Sequence, residues 1–132
     1  MSAPKPVTFY EYAACDTCRK AKKWLDARKL PYESVPIVLR PPSLGELETW
    51  VTRSKLPPDK WFNTSGQSYR ALLARIGKEG FSKLDRREKL QLLSRDGKMI
   101  KRPVLVSEDR VLVGFDEEAY GGMAETRQPG EL

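Results

Sequence analysis

The sequence predicts an α/β fold: a mixed four-stranded sheet with a helical insertion after its second strand. Three observations carry that expectation. A β-branched and aromatic run, Val7–Tyr12, is followed by an amphipathic stretch from Asp16 to Lys29 and a second extended run from Tyr32 to Val38. The middle of the chain, about residues 41–100, holds only short helical patterns. Two apolar runs, Val104-Leu105-Val106 and Val111-Leu112-Val113, then flank Ser107-Glu108-Asp109-Arg110 as the arms of a hairpin flank its turn. A β-α-β start predicts a right-handed crossover between parallel strands, and an antiparallel hairpin can extend the same sheet.

Each element has a local reason. In the first helix Cys18, Ala21, Trp24 and Leu25 share one face, while Arg19, Lys20, Lys22 and Lys23 mostly face water. Leu30-Pro31 is expected to stop it, because proline biases its predecessor away from helical angles. Pro36 cannot donate to a strand ladder, so the second strand should lie at an edge. Ser43 and Glu46 fit a capping box ahead of Leu44, Leu47 and Val51, and Lys55-Leu56-Pro57-Pro58 ends that helix. Asn63-Thr64-Ser65-Gly66 reads as a turn or cap. Tyr69, Leu72, Leu73 and Ile76 make a short helix stopped at Gly77. Asp85 and Glu88 cap another, carrying Leu90, Leu92 and Leu93, with Gly97 as its stop. Asp116 to Met123 is a last helix. Residues 1–123 are expected to form one domain and 124–132 a flexible tail.

The composition narrows the function. With 132 residues and 15.1 kDa, the chain suits one domain with a real core. Hydrophobic residues are 39% and charged residues 32%, as in a globular protein with a solvated surface. The net charge of +6 is spread over helices with acidic neighbours and forms no recognition-type basic run. No stretch is apolar for long enough to span a bilayer, and Met1–Pro6 lacks a signal-like run, so the expected compartment is the cytoplasm. The chain has no histidine and only two cysteines. That excludes a Ser-His-Asp triad, a Cys-His dyad and a His-ligated metal within the chain.

Both cysteines fall in one motif, Cys15-Asp16-Thr17-Cys18. A permanent disulfide there would close a tiny loop and constrain little of the unfolded chain. A CxxC at a strand-to-helix junction serves redox chemistry instead. Cys15 would sit at a helix N-terminus, where free N–H groups and the helix dipole favour negative charge. Such settings lower a thiol pKa from about 8.5 to about 3.5–7.5. Arg19 and Lys20 add positive charge nearby. Cys18, one turn on, is placed to resolve a mixed disulfide at Cys15. Two other readings stand beside this one. Zinc would need a dimer pooling four cysteines, or carboxylate ligands, so no metal is expected. Cys18 could also be a small core residue, which leaves Cys15 a lone nucleophile working with an external thiol. Lys101-Arg102-Pro103 precedes an apolar strand. Arg102 there could clamp an oxyanion or a carboxylate, or be half of a solvated basic pair.

Taken together, Tyr12-Ala13-Ala14-Cys15-Asp16-Thr17-Cys18-Arg19-Lys20-Ala21, Phe62-Asn63-Thr64-Ser65-Gly66 with Tyr69-Arg70, Lys101-Arg102-Pro103-Val104-Leu105 and Val113-Gly114-Phe115 resemble the ArsC/Spx family of thioredoxin-fold proteins. The likeness runs from about Val7 to about Met123. It implies a glutaredoxin-like core with the helical insertion, and a cis bond before Pro103, a form found at only about 5–6% of X–Pro bonds in general. It implies that Cys15 is the nucleophile, that Cys18 holds the second-cysteine place of Spx-like members, and that Arg102 helps hold an oxyanion. The family's arsenate reductases use three arginines around the anion. Asn63-Thr64-Ser65-Gly66 and Gly114-Phe115 stand where the other two lie. Thr64, Ser65 and backbone N–H groups near Gly66 are therefore candidate replacements, with a plain helix cap as the alternative.

The resemblance implies an ArsC-type, thiol-dependent oxidoreductase acting on a disulfide or an arsenate-like oxyanion. The expected catalytic residues are Cys15, Cys18 and Arg102, with Arg19, Thr64, Ser65 and Pro103 binding substrate. No bound cofactor is expected. Glutathione, another small thiol or a thioredoxin- or glutaredoxin-type donor would supply electrons. The alternative it implies is an Spx-like redox-sensing regulator that binds RNA polymerase. No membrane partner is expected.

Overall fold

The computed structural model describes residues 7–125, so Met1–Pro6 lie outside them. The described chain divides into two compact units, one holding the residues up to Val35 and from Arg102 onward, the other Pro36–Lys101.

The first unit is built on a sheet of order β2-β1-β3-β4, with β1 Val7–Glu11, β2 Tyr32–Pro36, β3 Val104–Val106 and β4 Val111–Val113. β1 pairs antiparallel with β3, Phe9 opposite Leu105, and β3 pairs antiparallel with β4, Leu105 opposite Leu112. β2 joins β1 through helix α1, Asp16–Ala27, which makes the sheet mixed. β2 is an edge strand, as Pro36 requires. Alternation turns Val7 and Phe9 inward, at 2% and 0% exposure. They meet Ala21, Trp24 and Leu25 of α1 and Tyr120, Met123 and Ala124 of the last helix, α5, Glu117–Glu125. Each such buried side chain contributes about 1.5–3 kcal/mol. Trp24 and Phe115 both meet the Tyr120 ring edge-on, with centroids 5.7 and 4.9 Å away.

Several boundaries differ from the sequence expectation, and β2 ends at Pro36 rather than Val38. Pro31 does not end α1. Lys29 adopts φ 54°, its N–H bonds the Asp26 carbonyl and the Leu30 N–H bonds the Leu25 carbonyl. This is a Schellman turn, sealed by burial of Leu25 and Leu30 in one cluster. β1 stops at Glu11 rather than Tyr12, which frees Tyr12 for the turn that follows. α5 runs to Glu125 with Ala124 buried, two residues into the expected tail, because its apolar face continues; residues 126–132 lie outside the described ones.

The second unit holds α2 Leu44–Ser54, a 3₁₀ turn Pro58–Trp61, α3 Gln67–Ser82, α4 Arg86–Arg95 and a 3₁₀ turn Gly97–Met99. Ser43 and Asp85 form complete capping boxes with Glu46 and Glu88. α2 packs on α4, and Leu47, Trp61, Leu90, Leu93 and Ile100 are wholly buried. Two glycines act otherwise than expected. Gly77 kinks α3 at φ 73°, ψ 168° and the helix resumes to Ser82. Gly97 is no helix stop: a Cβ there would lie 2.2 Å from the Ile37 carbonyl oxygen, so the residue serves a close backbone approach. Among the described residues no helix is long and apolar enough to cross a membrane.

Candidate active site

The CxxC turn is held by its own backbone. After β1, the Cys15 N–H bonds the Tyr12 carbonyl at 3.0 Å, closing a tight turn. Cys15 then takes extended angles, φ −100° and ψ 117°, as the N-cap of α1. Its Sγ accepts the Cys18 N–H at 3.2 Å, the bond that a serine or aspartate cap oxygen makes elsewhere. The thiol of Cys15 is half-buried, so a substrate sulfur can reach it. The sulfur thus lies at the N-terminus of α1, where the first N–H groups of the helix point.

Cys18 is sealed behind it at 0% exposure, on the same face as Ala21, Trp24 and Leu25. Burial pushes its thiol up to about 12, and a hydrogen bond with Cys15 adds to this; the Tyr12 backbone and the Arg102 charge pull weakly the other way. Cys18 is thus a thiol at neutral pH. It is a core residue that also adjoins the Cys15 sulfur.

Arg102 is not a solvated partner of Lys101. Lys101 is exposed, whereas the Arg102 guanidinium carbon lies 4.7 Å from the centroid of the Tyr12 ring. Its Nη1 is buried and has no hydrogen-bond partner. A buried, unpaired donor of this kind is costly and invites an acceptor. The Arg102–Pro103 bond is cis, and the Pro103 carbonyl accepts the Gly114 N–H at 2.7 Å, tying the segment to the end of β4.

Arg19 is already engaged. Its Nη1 donates to the Ala13 carbonyl at 2.9 Å and its Nη2 pairs with Asp16, so it braces the turn. Thr64 and Ser65 belong to the second unit. Both are exposed, and they line a cleft of about 750 Å³ together with Lys60, Phe62, Tyr69, Phe81 and Lys101. Neither caps α3, whose N-cap is Gly66 without a side-chain hydrogen bond. Sequence reasoning missed Tyr12 as a site residue. An aromatic three places before a cysteine gives no signal until Arg102 is brought over its ring. Among the described residues no three of His, Cys, Asp and Glu come together as a metal site.

The YusI protein of Bacillus subtilis is 42% identical over 114 residues, covering 86% of this chain and 94% of that one. The global transcriptional regulator Spx of Listeria innocua is 26% identical, over 85% of this chain and 82% of its own. The crystal structure of an ArsC family related protein from Bacteroides fragilis superposes with a TM-score of 0.84 at 38% identity, over 91% of this chain and 98% of that one. The model of the ArsC family matches residues 10–123, from β1 through the CxxC turn and Arg102 to α5, and the chain belongs to that family.

Proposed function

We propose that the chain is a thiol-dependent reductase of the ArsC type with Cys15 as its nucleophile. The observation that carries this is the Cys15 sulfur at the N-cap of α1, open on one side and receiving the Cys18 N–H at 3.2 Å. The Cys15 thiolate attacks a sulfur of a disulfide R–S–S–R′. A Cys15–S–S–R bond forms, and R′S⁻ leaves and takes up a proton. An external thiolate GS⁻ then attacks the Cys15 sulfur, RS⁻ leaves, and a second GS⁻ frees Cys15 as thiolate with GSSG formed, so the two thiols together supply the two electrons. With an oxyanion such as arsenate, the sulfur displaces an oxygen that takes up protons and leaves as water, and the Arg102 guanidinium charge offsets that of the anion. A second thiol attacks the Cys15 sulfur to form Cys15–S–S–R, the S–As electron pair stays on arsenic and reduces As(V) to As(III), and a further thiol frees Cys15 from the mixed disulfide. The raised thiol of Cys18 favours an external thiol such as glutathione for the resolving step.

The test is turnover with glutathione, using bis(2-hydroxyethyl) disulfide and arsenate as substrates, in wild type and Cys15→Ser. Wild type should reduce at least one of them, and Cys15→Ser should lose that activity entirely. Equal turnover in the two proteins, or none in wild type, overturns the reading.

A second reading is favoured by the 26% identity to Spx and by both cysteines of the CxxC standing side by side. In it the chain is a redox-responsive regulator that binds RNA polymerase. Capture of polymerase that changes between oxidised and reduced protein, without turnover, would select it over the reductase.

A further inference from the structure

Tyr12 touches both halves of the candidate site, and neither contact is needed for the sheet. It lies beyond the end of β1, and its side chain is half-buried, outside the core cluster. Its carbonyl accepts the Cys15 N–H at 3.0 Å. Its ring carries the Arg102 guanidinium at 4.7 Å. An arginine side chain has about 2 kcal/mol of rotamer entropy to lose when it is held in one place. Arg102 nonetheless keeps Nη1 buried without a hydrogen-bond partner. The contact that holds it there is the face of the Tyr12 ring, whose quadrupole attracts a cation. The guanidinium acts on the CxxC from this place, since its charge opposes the upward push on the Cys18 thiol.

We propose that Tyr12 is a positioning residue that holds Arg102 beside the CxxC turn, so that the guanidinium charge attracts an anionic substrate group at Cys15. This rests on the reading of Arg102 as the anion clamp and deepens it. The ring face does the work, not the hydroxyl. Phenylalanine should therefore replace Tyr12, and an aliphatic residue should not. Without the ring, Arg102 turns to solvent and its pull on anions at Cys15 falls.

The measurement is the alkylation rate of Cys15 by anionic iodoacetate divided by the rate with neutral iodoacetamide, at one pH, on the reduced full chain. Mass spectrometry confirms the labelled residue. The ratio cancels the nucleophilicity and the thiolate fraction of Cys15, so a merely structural role for Tyr12 would not move it. Arg102→Ala marks the ratio without the guanidinium, and a drop of about three- to tenfold is expected from a charge at short range. Tyr12→Phe should keep the wild-type ratio, and Tyr12→Leu should fall to that of Arg102→Ala. If Tyr12→Leu does not fold by circular dichroism, Tyr12→Thr gives the same reading. A drop in Arg102→Ala with none in the aliphatic Tyr12 variants overturns the role of Tyr12 and leaves the anion clamp standing. No drop in Arg102→Ala overturns the clamp itself. An equal drop in Tyr12→Phe and Tyr12→Leu assigns the effect to the hydroxyl and overturns the ring-face account.

Discussion

Cys18 shows how one side chain can serve packing and chemistry together. It lies at 0% exposure, and burial pushes its thiol from 9.0 up to about 12. A raised folded-state value means that the folded protein prefers the protonated thiol. The stability this brings is complete below about pH 9 and is lost as the pH climbs toward about 12. Between pH 8 and pH 11, urea unfolding of wild type should lose more stability than unfolding of Cys18→Ala, by up to about 2 kcal/mol. The comparison removes the tyrosines and lysines that titrate in the same range, since both proteins share them. Parallel curves would show that the Cys18 thiol ionises freely in the folded chain. Cys15, three residues earlier, is only half-buried.

At the scale of the element, backbone conformation decides more than side-chain preference. Lys29 and Gly77 both have positive φ, at 54° and 73°. Lys29 closes α1 in the left-handed region, where a side chain costs about 1–2 kcal/mol. Lys29→Gly should therefore raise stability by about 0.5–1 kcal/mol after the added freedom of the unfolded chain is subtracted. Gly77 takes angles open almost only to glycine, and a Cβ there would meet nothing within 4 Å. Gly77→Ala should lower stability by about 1–3 kcal/mol through backbone strain alone. Thermal melts of the two variants should shift in opposite directions, and shifts of the same sign would refute this assignment. Gly97 obeys a different rule, because its Cβ would strike the Ile37 carbonyl rather than strain the chain.

At the scale of the whole molecule, each unit has buried residues of its own. In the first, Phe9 is wholly enclosed, opposite Leu105 in the sheet and within 5.6 Å of the Tyr32 ring centroid. Truncating such a phenylalanine costs about 3–5 kcal/mol. Total stability for a domain of this size is about 5–15 kcal/mol. Phe9→Ala should thus move the urea midpoint of the first unit sharply downward and deprive the CxxC turn of the strand that carries it. A midpoint within error of wild type would contradict the placement of Phe9 in the core.

Much of this was written locally in the chain. The alternation of Val7 and Phe9, the helical face of Cys18, Ala21, Trp24 and Leu25, and the two capping boxes depend on residues within a few positions of one another. The placing of Cys15 at a helix N-terminus is equally local, because the extended run before the CxxC and the amphipathic stretch after it meet there. Only tertiary structure decided what surrounds Arg102. Its ring partner lies ninety positions away at the far end of β1, and they meet because β1 and β3 pair with Thr8 opposite Val106 and Tyr10 opposite Val104. The same pairing decided that Nη1 would be buried without a partner. Periodicity and capping are short-range physics and can be read along the chain, whereas burial and ring contacts come from long-range register.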